Sequence, residues 1–262
     1  MMSRCRGLRP AVGLALVLAA PAAAQEGIAI PESLSASTDE VEFMEVPFDF
    51  GEKLTYQVKF GWWEVGEGFL QVGSDLETIR DNPTYHVQMG LEGSSAGTSI
   101  EYTFHSWMDV TNLASHRYIQ DQRGFNERYR EYEIFPEERR WDRLDVEQSG
   151  NTPSDVPLDQ VSFIWFVRTL PLEVGDEYVL NHYFKTEDNP VIIRVLRKET
   201  IEVPAGTFEC VVVEPIIQTS GLFGDGGQAE IYFTDDDKRH MVYMKSRVKL
   251  LPDIHLRLKE IG

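Results

Sequence analysis

The sequence predicts a mainly β chain: a large curved antiparallel sheet, or an incomplete barrel, around one buried helix at about residues 158–170. Three observations lead there. Apolar and polar residues alternate in short runs that recur about every ten positions, the spacing of a meander rather than of βαβ units. Between the runs lie Asp81-Asn82-Pro83, Gly93 to Gly97, Gly124 and Pro136, residue types that punctuate strands for backbone reasons. One segment, Leu158 to Leu170, carries apolar side chains all round a helical axis and is bounded by Pro157 and Pro171. A sandwich of two sheets is the alternative.

At the start of the chain, Arg4, Arg6 and Arg9 precede an apolar run from Leu14 to Ala20, and Ala22-Ala23-Ala24 has the small-residue pattern of a signal-peptidase site. We therefore expect residues 1–24 to be a signal peptide and the remainder to be periplasmic or secreted. The run is too short for a transmembrane segment, and no cysteine stands at the cut to take a lipid. From 25 to 47 the chain is poor in aromatics and rich in Ser, Glu and Ala, a composition expected of a flexible segment. A single β-rich domain, with two lobes as a variant, is expected over 48–262.

Within that domain Lys53 to Phe60 places Leu54, Tyr56, Val58 and Phe60 on one side. Strands are then predicted over Gly66 to Val72, Thr84 to Leu91, Ser99 to Met108, Ser115 to Gln122, Arg128 to Phe135 and Arg139 to Val146. The central segment is predicted as a helix because thirteen residues between two prolines exceed a typical strand, with Asp159 as its N-cap. Phe163, Ile164, Trp165 and Phe166 should be inaccessible to solvent, and Arg168, at the C-terminal end, should make a structural ion pair. Beyond it, strands are predicted over Tyr178 to Lys185, Val191 to Lys198, Glu199 to Val203, Thr207 to Val213, Gln228 to Phe233, Met241 to Leu250 and Ile254 to Leu258. Val203-Pro204-Ala205-Gly206-Thr207 reads as a tight turn, and the strand after it, apolar on both faces, as a central one.

Phe50-Gly51-Glu52-Lys53-Leu54-Thr55-Tyr56 followed by Gly66, then Asp159, Ser162 and Arg168, then Val203-Pro204-Ala205-Gly206-Thr207-Phe208-Glu209-Cys210, and Tyr232-Phe233-Thr234-Asp235 occur in that order. In this the chain resembles bacterial domain-of-unknown-function family 3108, from about residue 48 to the C-terminus. The resemblance implies an exported or envelope-associated Gram-negative protein, mostly β, of unassigned activity, and brings no catalytic residue with it.

Charge narrows the partners. The chain has 25 Lys and Arg against 43 Asp and Glu, a net charge of −18, so a nucleic acid would be repelled. The basic clusters at Arg139-Arg140 with Arg143 and at Arg194 to Lys198 lie among acids and read as solvated sheet faces. Loss of the leader would remove Cys5 and leave Cys210 as the one thiol, a small buried hydrophobe between Phe208 and Val211.

No catalytic constellation is legible. Gly93-Ser94-Ser95-Ala96-Gly97 fits the nucleophile-elbow pattern, which requires a helix after it, whereas Thr98 to His105 reads as a strand; a hairpin turn is the plainer reading of Ser95. His86, His105, His116, His182, His240 and His255 show no metal-ligand spacing, and Asp235-Asp236-Asp237-Lys238 lacks the glycine and closing glutamate of a calcium loop. Gly221 to Gly227 reads as a hairpin loop rather than a phosphate loop. No metal or other cofactor is expected.

The function expected is non-catalytic binding of an apolar or amphipathic ligand, with a lipid, glycan or envelope protein as the partner. A sheet curved round one helix has more inner face than the helix can fill, which leaves a groove for residues such as Phe60, Trp62, Trp63 and Phe69. Strand alternation would place the tandem Trp62 and Trp63 on opposite faces, so that only one is in the main core. A hydrolase with a site assembled across strands, or a structural and assembly protein, is the alternative.

Overall fold

A computed structural model describes residues 42–95, 98–124, 127–216, 228–247 and 253–262. The proposed leader, the 221–227 loop and residues 248–252 lie outside the described residues. All the described residues fall in one compact unit.

Eight strands come first: β1 (Lys53–Phe60), β2 (Trp63–Ile79), β3 (Asn82–Ser95), β4 (Thr98–Asp109), β5 (Ser115–Arg123), β6 (Arg128–Phe135), β7 (Arg140–Arg143) and β8 (Gln148–Asn151). After the helix α1 (Ser162–Val167) come β9 (Glu177–Leu180), β10 (Val191–Val203), β11 (Gly206–Ile216), β12 (Gln228–Thr234), β13 (Met241–Arg247) and β14 (Ile254–Ile261). All fourteen form one antiparallel sheet in the order β8-β7-β6-β5-β4-β3-β2-β1-β14-β13-β12-β11-β10-β9. The chain thus starts mid-sheet, walks out to one edge, crosses to the other edge through α1, and walks back until β14 pairs with β1. One continuous sheet excludes the sandwich.

The sheet is not closed, and the connection through α1 spans its seam. Leu158 forms a parallel bridge with Tyr183, and the Thr186 hydroxyl donates to the Asn151 carbonyl at 2.7 Å, so the segments leaving β8 and following β9 are tied to each other. The second of these bonds occupies one carbonyl of the β8 edge.

Alternation sets the inner face. Tyr56 and Val58 of β1 lie opposite Leu258 and Leu256 of β14, Leu70 of β2 opposite Met89 of β3, and Met89 opposite Phe104 of β4, all of them buried. At the β10–β11 hairpin Val203 pairs with Gly206, whose φ of 136° suits glycine, and the predicted tight turn is in place. β11 is buried on both faces at Cys210 to Val213, as a central strand should be, and burial pushes the Cys210 thiol up to about 12.

The helix is shorter than the 158–170 expected. Leu158 is held extended, its N–H donating to His182 O at 2.6 Å, and beyond Val167 the chain turns with i to i−3 bonds such as Leu170 N–H to Val167 O. Only Ser162–Val167 is α-helical. Asp159 caps this start: its Oδ1 accepts the N–H groups of Val161 at 2.7 Å and Ser162 at 3.0 Å. Phe163, Ile164 and Trp165 are buried, whereas Phe166 is partly exposed beside His182. Several strand bounds also differ. Residues 191–203 form one strand where two were expected, and 139–146 yields only the short β7.

Candidate functional site

The helix covers one end of the inner face. Phe48, ahead of β1, packs edge-on against Trp165 at 5.1 Å and against Tyr85 at 5.3 Å, which closes that end with aromatic rings. Hydrogen bonds fix α1 laterally. Ser106 of β4 donates to Asp159 Oδ2 at 2.5 Å, and Ser115 of β5 donates to Ser162 Oγ at 2.8 Å. Asp159 is fully buried, and burial raises its pKa despite these donors.

The opposite end of the inner face encloses a cavity of about 660 Å³. That lies within the roughly 300–1,000 Å³ of small-molecule sites. One wall is apolar, formed by Val58 and Phe60 of β1, Val65 of β2, Leu91 of β3, Ile100 of β4 and Leu256 of β14. The other is polar. It consists of Gln120 and Gln122 of β5, Arg128 and Arg130 of β6, and Lys185, Glu187 and Asp188 after β9. Gln160, just before α1, also lines it, and its Oε1 lies 3.5 Å from the Tyr118 hydroxyl.

The polar wall follows from register. Tyr132 and Ile134 of β6 are buried on the inner face, so two-residue alternation sends Arg130 and Arg128 to the same side, opposite Gln120 and Gln122. Arg130 Nε is buried without a hydrogen-bond partner among the described residues. An unsatisfied buried donor costs about 1–3 kcal/mol, more when it is charged. Lys185 Nζ lies 3.2 Å from the Tyr132 hydroxyl and 5.0, 5.5 and 5.6 Å from the ring centres of Tyr132, Phe184 and Trp141. Such ring faces attract a cation but leave its charge unneutralised.

The cavity lining includes no Ser, Thr, Cys or His. Burial keeps the Tyr118 and Tyr183 hydroxyls protonated. Among the described residues no group of three His, Cys, Asp or Glu is placed to hold a metal ion. Ser95 pairs with Thr98 across the β3–β4 hairpin, so a strand follows it where an elbow needs a helix. In the 235–238 turn, Asp236 Oδ1 accepts the N–H groups of Lys238 and Arg239 and the Thr234 hydroxyl, so the chain's own donors occupy it.

The aromatic residues expected at a groove are placed differently from one another. Phe60 lines the cavity, whereas Trp62, Trp63 and Phe69 do not. Trp62 and Trp63 are 95% and 70% exposed at the tip of the β1–β2 hairpin, and neither is in the core. Strand alternation does not govern Trp62, because it is a turn residue and not part of β2. Phe69 lies on the outer face over Gly90, where a Cβ would come within 2.1 Å of Phe69 Cε1, and it backs the cavity wall there. The sequence reading missed Arg128, Arg130 and Lys185. Their signal was the parity of Arg128 and Arg130 with Tyr132 and Ile134.

The fold is thus an open, single antiparallel sheet with one short helix and a cavity of mixed apolar and polar lining. The model of the family described as "Protein of unknown function (DUF3108)" matches residues 55–256, and the chain belongs to that family. No curated protein matches the chain. Among solved structures it is similar to a beta-barrel-like protein of domain of unknown function DUF1849 from Brucella abortus, with a TM-score of 0.55 and 7% identity over 81% of this chain and 97% of that one. That likeness is one of fold alone. Weaker likenesses carry no inference. One is to a protein inferred to be a lipoprotein from Parabacteroides distasonis (TM-score 0.38, 13% identity, 83% and 98% of the two chains). Another is to a protein inferred to be exported, with a YmcC-like fold, from Bacteroides fragilis (TM-score 0.36, 13% identity, 84% and 99%). Among the described residues no helix is long and apolar enough to cross a membrane.

Proposed function

We propose that this chain is an exported envelope protein that binds an amphipathic molecule without transforming it. The observation that carries the reading is the cavity of about 660 Å³, with an aliphatic and aromatic wall facing a polar wall of Gln, Arg, Lys, Glu and Asp. Apolar surface supplies most of the binding free energy in such a site, and a few polar groups fix the orientation. Export rests on the leader-like pattern of residues 1–24. Trp62 and Trp63 follow Phe60 of the cavity wall after Gly61, and we assign this exposed pair to contact with the incoming ligand or its donor surface, where an amphipathic ring is well suited. Phe69 supports the same wall from outside.

The test is native mass spectrometry of the protein purified from its own envelope, followed by solvent extraction. A bound mass that extraction removes is expected. A clean apo mass, together with no tryptophan fluorescence response to envelope lipids or glycans, would overturn the reading and favour a structural or assembly role.

A further inference from the structure

We infer that the cavity selects an amphiphile with an anionic head, a carboxylate or phosphate on an aliphatic tail, and that Arg128, Arg130 and Lys185 receive the head. This rests on the binding reading above and names the ligand class.

The first support is a reversal of charge. The chain as a whole is strongly acidic, 25 basic against 43 acidic residues, yet the cavity is lined by Lys59, Arg128, Arg130 and Lys185 against only Glu187 and Asp188. A positive cleft with low-dielectric walls concentrates anions even when the surrounding surface repels them. The second support is pairing. Elsewhere the described arginines other than Arg257 are matched to carboxylates, as in Arg80 with Glu133, Arg143 with Asp145, Arg197 with Glu230 and Arg247 with Asp253. Among the described residues Arg128, Arg130 and Lys185 form no ion pair, and the Arg130 Nε donor is both buried and unsatisfied. In a chain with so many carboxylates, cations left unmatched on one wall are donors in search of an acceptor.

Geometry separates head from tail. Arg128 and Arg130 stand two residues apart on one face of β6, so both guanidinium groups face the same space, and each fork can grip a carboxylate or phosphate. Across the cavity Phe60, Val65, Leu91 and Ile100 offer only apolar contact, which suits an alkyl chain. A neutral amphiphile would satisfy that wall but leave the cations as they are. An anion satisfies both.

Isothermal titration of the full chain with palmitate, 1-palmitoyl lysophosphatidate and 1-palmitoyl glycerol, each below its critical micelle concentration, tests this. We expect one or both anions to bind at least about tenfold more tightly than the glycerol ester, the scale of a single charge-assisted contact. The tighter of the two identifies the head as carboxylate or phosphate. Arg130→Gln, and independently the exposed Arg128→Gln, should bring the anions down to the level of the ester while circular dichroism stays unchanged; Arg257→Gln, on a residue outside the cavity, should leave affinity intact. Equal binding of all three ligands, unaffected by these substitutions, would overturn the anionic assignment and leave the amphiphile reading standing. No binding of any of the three would overturn both.

Discussion

Arg168 Nη1 donates to Glu52 Oε1 at 2.6 Å and Nη2 donates to Oε2 at 3.1 Å, a buried fork joining the end of the helical segment to the turn before β1. Nη2 also reaches the carbonyls of Pro47 and Lys238. The helix is therefore clamped over one end of the inner face, and the cavity is left at the other.

Removing one partner of this clamp should be costly. Glu52→Gln leaves a buried guanidinium without its counter-charge, and we expect a loss of about 3–5 kcal/mol by denaturant unfolding. The pH dependence has a definite sign. Burial raises the Glu52 pKa, but hydrogen bonds from His240 and Arg168 outweigh it and hold the carboxyl below its usual value. A depressed carboxylate stabilises the fold above its unfolded pKa of about 4.3, and that contribution is lost as pH falls through the lower folded value. The wild type should lose stability in that acid range, and Glu52→Gln should lose less. Parallel profiles for the two proteins would contradict this.

Trp165 has no solvent exposure and packs between Phe48 and the Arg168 guanidinium, whose Cζ is 4.7 Å from its ring. Trp165→Ala should cost about 3–5 kcal/mol through the cavity it leaves. Its indole Nε1 is buried without a partner among the described residues, so Trp165→Phe should cost less than its volume change alone suggests. Thermal melts of both variants check the order, and a melting temperature unchanged in Trp165→Ala would mean the core lies elsewhere.

On the outer face His86 Nε2 lies 3.0 Å from His105 Nδ1, and the His86 ring stacks on Trp107 at 4.4 Å. Burial lowers both histidine pKa values; the neighbouring His86 lowers that of His105 further, while Glu77 pulls that of His86 back only in part. Both rings stay neutral in the fold to lower pH than in the unfolded chain, which takes up protons first as pH falls below about 6.5. Stability should decline from there until the folded values are passed. Imidazole NMR titrations should give midpoints below 6.5 for both residues. Midpoints above it would reverse the sign.

Most of the sheet was legible because alternation is a local signal. Arg128 to Phe135 was read with the bounds it has, and Glu52's partner Arg168 was expected to make a structural ion pair. The shortened helix was less legible, since the pairing of Leu158 with Tyr183 is a long-range event that no local period records. The polar wall of the cavity was missed for a related reason. The dense basic clusters at Arg139 to Arg143 and Arg194 to Lys198 are not the cationic wall, since Arg140, Arg143, Arg194, Arg197 and Lys198 are all ion-paired. The strand over Arg128 to Phe135 was predicted without a facing, and the register of Arg130 with Gln120, together with the buried Tyr132, turns its arginines inward.

The cavity at the Phe60 end is where we propose that a ligand binds. Leu91 lines it and lies opposite Gly68 across the β2–β3 pair, so a larger side chain at 91 has the cavity itself to grow into. Titrating Leu91→Trp with the amphiphile that binds the wild-type protein is the most direct measurement. Affinity should fall at least about tenfold, equivalent to about 1.4 kcal/mol, with the fold intact by circular dichroism. Wild-type affinity in a folded Leu91→Trp protein would contradict it.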